Sequence, residues 1–171
     1  MRHDWEALAG DPRLAAGAAL EVIASDPGRL WDQGAYFRHP AERTVLSWSS
    51  SDRAHPAAGW LAAAGDGSVK GHMACAGGWA AILSSPPGTL VGAGSLLLPG
   101  GERLIAHVHA IGVLNLTDEE AGYLLNDKRA LAEVTEALAA IRDGRQAGDT
   151  AGFIAWEARR REREATEGYD D

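Results

Sequence analysis

The strongest constraint on the fold of this 171-residue chain is a helix-start signal at Thr117. The run Thr-Asp-Glu-Glu at 117–120 is a capping box, in which the Thr117 hydroxyl accepts from a free helix amide and Glu120 reaches back to the cap residue. We expect this helix to run to about Leu125 and to break near Asn126. A second helix should follow, because apolar residues recur at helical spacing at Leu131, Val134, Leu138 and Ile141.

A helix is also predicted near the start of the chain. Asp11 is suited to cap it and Pro12 to occupy its first position, and the run Asp-Pro-Gly at 26–28 should stop it after Ser25. The apolar positions that fall on one side of this helix, and so form its expected core face, are Leu14, Ala18, Val22 and Ile23.

Two further helices are expected later in the sequence. The apolar segment 75–84 is one, and the double proline that follows is a firm stop. The other begins near Thr150 and turns polar after Trp156. On its surface two acid–base pairs lie four residues apart, Glu157 with Arg161 and Arg160 with Glu164.

Strand signals are fewer. The apolar pairs and triplets at 90–91 and 95–98 flank a Gly-Ala-Gly turn and predict a small β-hairpin. The segment 44–48 reads as a short strand, and 59–67 as a helical turn around Trp60 and Leu61. The segment 102–115 fits both a helix face and strict alternation, so its periodicity leaves helix and strand open.

These patterns predict a mainly helical α+β protein with a small β-hairpin. We expect one globular domain over residues 1–157, followed by a charged and partly disordered C-terminal tail over 158–171. Of the six tryptophans, Trp31 and Trp79 are assigned to the core, whereas Trp48, Trp60 and Trp156 are candidates for a binding surface.

The charge and cysteine content narrow the classes of function. A net charge of -8 and a pI of about 5.2 argue against nucleic acid as a partner. One cysteine allows no intramolecular disulfide. No secretion signal is visible and no apolar run approaches the ~18 residues that span a bilayer, so we expect a cytoplasmic protein without a membrane partner.

Cys75 is the first candidate for chemistry. A cysteine at a helix start gains thiolate character, and His107 or His109 could complete a Cys-His nucleophile pair. His72 and Cys75 could also be half of a metal site, with His107 and His109 as the other half. A lone cysteine among alanine, glycine and tryptophan is more often a small buried apolar residue, so we expect no cofactor and no metal.

Two segments resemble an uncharacterised family of small proteins from actinobacteria and their phages. That family carries a Cys-Gly-Thr-x-x-Cys-x-x-Gly-Trp/His-Ala segment, which is similar to residues 70–80 here, and a Leu-Gly-Leu-Thr-x-x-Glu-Ala helix end, which is similar to 113–121. Lys70 stands in place of the family's first cysteine and His72 in place of its threonine, so a site built on two cysteines cannot form. The resemblance implies a packing role for 75–79 and favours a helix over 102–113.

From these observations we expect a non-enzymatic accessory protein, of phage or actinobacterial origin, that binds another protein. Two alternatives stay open: a hydrolase that uses Cys75 as nucleophile, and a structural component of a virion. The sequence does not identify the protein partner and leaves homo-oligomerisation open.

Overall fold

The computed structural model describes residues 4–26, 31, 33, 37–38, 45–46, 61–62, 74–92, 94–126 and 128–167. Over these residues the chain is a mainly helical α+β protein, which confirms the predicted fold class. The helices are α1 (Trp5–Gly10), α2 (Pro12–Ser25), α3 (Ala76–Leu83), α4 (Ala106–Leu114), α5 (Asp118–Leu124), α6 (Leu131–Arg142) and α7 (Ala151–Glu167), with a 3-10 helix at Ala147–Asp149.

The strands form two antiparallel sheets. They are β1 (Phe37–Arg38), β2 (Val45–Leu46), β3 (Leu61–Ala62), β4 (Leu90–Gly92), β5 (Ser95–Leu97) and β6 (Arg103–Ile105). Strands β1 and β2 pair with each other, and β3 to β6 pair in sequence order as a four-stranded meander. The predicted hairpin is β4–β5, in register Val91 to Leu96, and both of these side chains are buried.

The predicted strand at 44–48 is confirmed at Val45 and Leu46, which form β2, and its other three residues lie outside the described residues. The prediction for 59–67 is wrong at Leu61 and Ala62, which are extended rather than helical. They pair with Val91 and Leu90 of β4, because the hairpin offers an edge whose amides and carbonyls a neighbouring strand can satisfy.

The ambiguous segment 102–115 is both strand and helix. Leu104 pairs with Leu96 in the meander, and α4 starts directly after β6 at Ala106. The helix ends at Asn115, whose left-handed backbone (φ 51°) is a common helix terminator. The alternating pattern therefore corresponds to strand β6 at the start of the segment, and the helical pattern corresponds to helix α4 in the remainder.

Helix α3 is the centre of the core. All eight of its residues are buried, and Trp79, with no exposed surface, is the largest of them. Helices α2 and α4 pack directly against it, which small side chains on α2 and α3 permit. Trp79 is thus a core residue as predicted, whereas Trp31 is only partly buried against the same cluster.

The start and end of α2 are as predicted, with Asp11 accepting from the Arg13 amide at 2.9 Å. The predicted core face is wrong at Leu14, which is 50% exposed. Alanines occupy the face that meets α3 and α6 instead, because a leucine would hold these closely packed helices apart. The buried residues of α2 are Ala15, Ala16, Ala18, Ala19, Val22 and Ile23.

The capping box at Thr117 is present and extends further than its own helix. The Thr117 hydroxyl accepts from the Glu120 amide at 3.2 Å, and Glu120 Oε2 accepts from the Thr117 amide at 3.0 Å. Glu120 Oε1 also accepts from the Gly148 amide at 2.6 Å. One buried carboxylate therefore joins the start of α5 to the 3-10 helix that precedes α7.

Three aromatic rings dock α7 onto α5. The centroids of Tyr123, Phe153 and Trp156 are each 5.5 Å from the other two, with Tyr123 and Phe153 edge to face. Beyond this contact α7 continues unbroken to Glu167, across the expected boundary between the domain and the tail. The two predicted ion pairs, Arg161–Glu157 and Arg160–Glu164, are present at 2.6 and 3.0 Å.

In the part of the chain that the structure describes, no helix combines the length and the apolar character needed to cross a membrane. Residues 168–171, which belong to the expected C-terminal tail, lie outside the described residues.

Replacing Glu120 by alanine should lower the free energy of unfolding by about 2–4 kcal/mol, because two amides lose a buried charged acceptor. Glu119→Ala is the matched control: it removes an exposed carboxylate from the same helical turn and should change stability by less than about 0.5 kcal/mol. Urea denaturation followed by circular dichroism measures both. Equal effects of the two substitutions would contradict the bridging role of Glu120.

Replacing Gly152 by alanine should destabilise the protein, although Ala ordinarily stabilises a helix relative to Gly by about 0.5–1 kcal/mol. A Cβ at this position would overlap the Tyr123 hydroxyl oxygen. In the Tyr123→Phe background the oxygen is absent and the ring carbon would lie 3.5 Å away, so Gly152→Ala should become neutral or stabilising. Chemical denaturation of the four proteins tests this, and an unchanged cost in the Phe background would refute the steric explanation.

Candidate functional site

Cys75 lies directly before α3 and caps it. Its side chain has no exposed surface, and its Sγ accepts a hydrogen bond from the Gly78 amide at 3.3 Å. The backbone at Cys75 is extended, as is typical of a residue that caps a helix. The sulfur therefore occupies the position that a serine or aspartate oxygen takes in other helix caps.

A buried glutamine completes the polar contacts at this end of α3. Gln33 is 5% exposed, and its Oε1 lies 3.5 Å from the Ala76 amide that it accepts from. Its Nε2 donates to the carbonyl oxygens of Leu124 at 2.7 Å and Asn126 at 3.1 Å. Gln33 thus connects the start of α3 to the end of α5.

His109 on α4 makes its contact at the opposite end of α3. Its Nε2 lies 3.1 Å from the Oγ of Ser84, a serine that is 2% exposed. The Ser84 hydroxyl has a single proton and donates it to the Ala80 carbonyl at 2.7 Å. With that proton engaged, the contact is a hydrogen bond in the tautomer that carries a proton on Nε2, in which His109 donates to Ser84.

The structure does not bring Cys75 and His109 together. Cys75 begins α3 and Ser84 ends it, so nine residues of helical rise, about 13 Å, separate the two polar ends. His107 lies two residues before His109 on α4, about 200° away around the helix. Cys75 and His109 therefore do not form a nucleophile pair.

Within the described ranges of the chain, no cluster of three or more His, Cys, Asp or Glu side chains is arranged to hold a metal ion. His72, Trp48 and Trp60 lie outside the described residues. Of the three tryptophans expected at a binding surface, Trp156 is the one whose surroundings the structure describes.

Trp156 lines an open groove of about 600 Å³ between α7 and the turn that connects α5 to α6. We call it the α7 groove. The lining residues are Asn126, Lys128 and Arg129 from the turn, and Trp156, Arg159, Glu162, Arg163 and Thr166 from α7. The α7 residues recur every three or four positions, so they form one face of that helix.

The α7 groove is locally basic on an acidic protein. Four cations and one carboxylate line it, although the whole chain carries a net charge of -8. Among the described residues, Lys128, Arg159 and Arg163 make no ion pair, whereas Arg129 pairs with Glu133 at 3.2 Å. Three cations in this cleft are thus uncompensated by the part of the chain that the structure describes.

The walls of the α7 groove are held in place. The Arg129 guanidinium stacks over the Tyr123 ring at 4.9 Å, and Trp156 contacts the same ring and that of Phe153. Asn126 Oδ1 accepts from the Lys128 amide at 2.9 Å and so fixes the turn. These contacts fix Arg129, Trp156 and the turn before any ligand binds, which reduces the entropy cost of binding at those residues.

Only part of this groove was predictable from the sequence. Trp156 was predicted as a binding-surface candidate, but of the arginines that follow it only Arg160 and Arg161 were given a role, in surface ion pairs. The contribution of Lys128 and Arg129 was missed, because they belong to another element more than twenty residues earlier in the chain. The usable signal was the helical spacing of Trp156, Arg159 and Arg163, which places an aromatic ring and two cations on one face.

No protein-family model, no curated protein and no solved structure matches this chain.

Burial lowers the pKa of His109 below its usual value of 6.5. The unfolded chain therefore binds a proton at this residue before the folded protein does, and stability is lost as the pH falls from about 6.5 towards the folded pKa. We expect His109→Gln to lose less stability than the original protein between neutral pH and about pH 5. Urea denaturation at each pH measures the difference. A steeper or equal loss in the variant would contradict the burial of a neutral imidazole.

Proposed function

We propose that this chain is a non-enzymatic accessory protein that acts by binding another protein, and that the α7 groove is its binding surface. The observation that carries the proposal is the combination of an aromatic floor, Trp156, with the unpaired cations Lys128, Arg159 and Arg163 in the described cleft. Tryptophan and arginine are the residues most enriched at the energetic centres of protein interfaces.

The form of α7 supports this assignment. Its first turns are anchored by Phe153 and Trp156, but from Arg161 to Thr166 every residue is exposed. A helix that is polar on all sides gains little from packing and is held here by i,i+4 ion pairs. Such an arm presents a rigid charged face to another molecule.

The surroundings of Cys75, the nucleophile of the alternative hydrolase, and of Ser84, which contacts the candidate His109, also support the proposal. The Cys75 thiol and the Ser84 hydroxyl are both buried and both used as hydrogen-bond partners at the ends of α3. Their chemistry is accounted for by packing and capping. We further propose a cytoplasmic protein of phage or actinobacterial origin, on the basis of the sequence resemblance and the single, buried cysteine.

Affinity capture from an actinobacterial lysate, with three versions of the protein, tests the proposed function. The original chain should enrich a protein partner, and the double variant Arg159→Glu, Arg163→Glu should lose it, because charge reversal repels whatever the groove attracts. Arg145→Glu is the control, since it reverses an exposed cation that does not line the α7 groove.

If the three versions capture the same proteins, or if none captures a protein above background, the α7 groove is not the binding surface and the proposal fails.

A further inference from the structure

We infer that the α7 groove takes a short acidic segment of the partner, with an aromatic or large apolar side chain seated against Trp156. This inference rests on the proposed function and adds the chemistry of the partner. It follows from three properties of the α7 groove: its unpaired cations, the length of its α7 face, and the Trp156 ring that lines it.

The positive charge of the α7 groove favours an anionic ligand. Lys128 lies on one wall, Arg159 and Arg163 lie on the other, and none of the three forms an ion pair with a described carboxylate. An incoming carboxylate would meet donors from both walls, and Arg159 or Arg163 can hold it with two parallel hydrogen bonds. Because these cations are at the surface, each contact contributes modestly and the affinity must come from several together.

The length of the α7 face that lines the groove favours a short peptide segment. The lining face of α7 runs from Trp156 to Thr166, which is about 15 Å of helix. An extended peptide covers that distance with about four or five residues, at roughly 3.3 Å per residue. A stretch of this size holds two or three acidic side chains on the face turned towards the groove.

The Trp156 ring favours a ligand that carries an apolar side chain. Trp156 is only partly buried, and the Arg160 guanidinium stacks over its ring at 5.7 Å. Because Tyr123 and Phe153 fix the orientation of Trp156, the indole offers a rigid apolar contact at one end of the basic face. A ligand of charge alone would leave this contact unused.

Nucleic acid has the same anionic chemistry but fits less well. A phosphate backbone continues beyond a 15 Å groove on both sides, and there it would run over the surface of a chain whose net charge is -8. Glu162 also lies within the groove and would face the phosphates. An acidic peptide segment of a few residues ends within the groove and so avoids the first penalty, although its carboxylates meet Glu162 as phosphates would.

Fluorescence anisotropy with labelled probes tests the inference. The main probe is a fluorescein-labelled peptide of alternating Glu and Asp around one central Phe. It should bind the original protein, bind Arg145→Glu equally well, and bind the Arg159→Glu, Arg163→Glu variant at least about tenfold more weakly. Its affinity should fall as salt is raised, since the contacts are exposed.

Three comparison probes separate the contributions of peptide charge, of the Phe side chain and of polyanion type to binding. The peptide with Gln and Asn in place of the acids should not bind, and the peptide with Gly in place of Phe should bind more weakly. An oligothymidylate of equal charge should bind more weakly than the acidic peptide. Tighter binding of the oligothymidylate, or equal binding of the acidic and neutral peptides, would overturn the inference.

The two proposals fail in different ways. If lysate capture depends on Arg159 and Arg163 but the acidic peptide does not bind, the groove is a binding surface and its acidic occupant is wrong. If capture is independent of these residues, the proposed function itself is wrong.

Discussion

The fold depends on the burial of one short helix on all of its sides. Every residue of α3 is removed from water, so no solvent is left to satisfy the amides and carbonyls at its two ends. The protein supplies them itself: Cys75 and Gln33 accept from the amides at the start, and Ser84 and Ser85 donate to the Ala80 and Ala81 carbonyls at the end. An unsatisfied buried group costs about 1–3 kcal/mol, so these contacts decide whether α3 can form where it does.

The same helix determines where two of the candidate reactive residues lie. Cys75 and His109 are separated by the length of the helix whose ends they serve, and Ser84 gives its proton to the backbone. The α7 groove lies where α7 leaves the core after Trp156, and Gln33 joins one of its lining residues, Asn126, to the start of α3. There Lys128, Arg159 and Arg163 make no ion pair with another described residue, whereas Arg129 stacks on Tyr123.

Sequence patterns that span only a few residues predicted the helices well. They predicted poorly the features that depend on contacts between distant parts of the chain. The caps at Asp11 and Thr117 and the spacing from Leu131 to Ile141 depend on residues a few positions apart, so the sequence alone reveals them. The strand at 61–62 depends on pairing with β4, and the exposure of Leu14 depends on how closely α2 approaches α3 and α6; neither partner is adjacent in sequence. The groove was predictable only in part for the same reason. Trp156, Arg159 and Arg163 lie on one helix, so their spacing in the sequence places them on one face. Lys128 and Arg129 lie near them only because of the tertiary fold.

The central claim is that Cys75 is a structural cap of a buried helix, and the labelling rate of its thiol tests this most directly. With a chromogenic aromatic disulfide reagent, the native protein should react only through global unfolding. The free energy of opening at Cys75 should then equal the free energy of unfolding from urea denaturation. Rapid labelling of the native protein without denaturant, with an opening free energy far below the global value, would show an accessible thiol and would contradict the account.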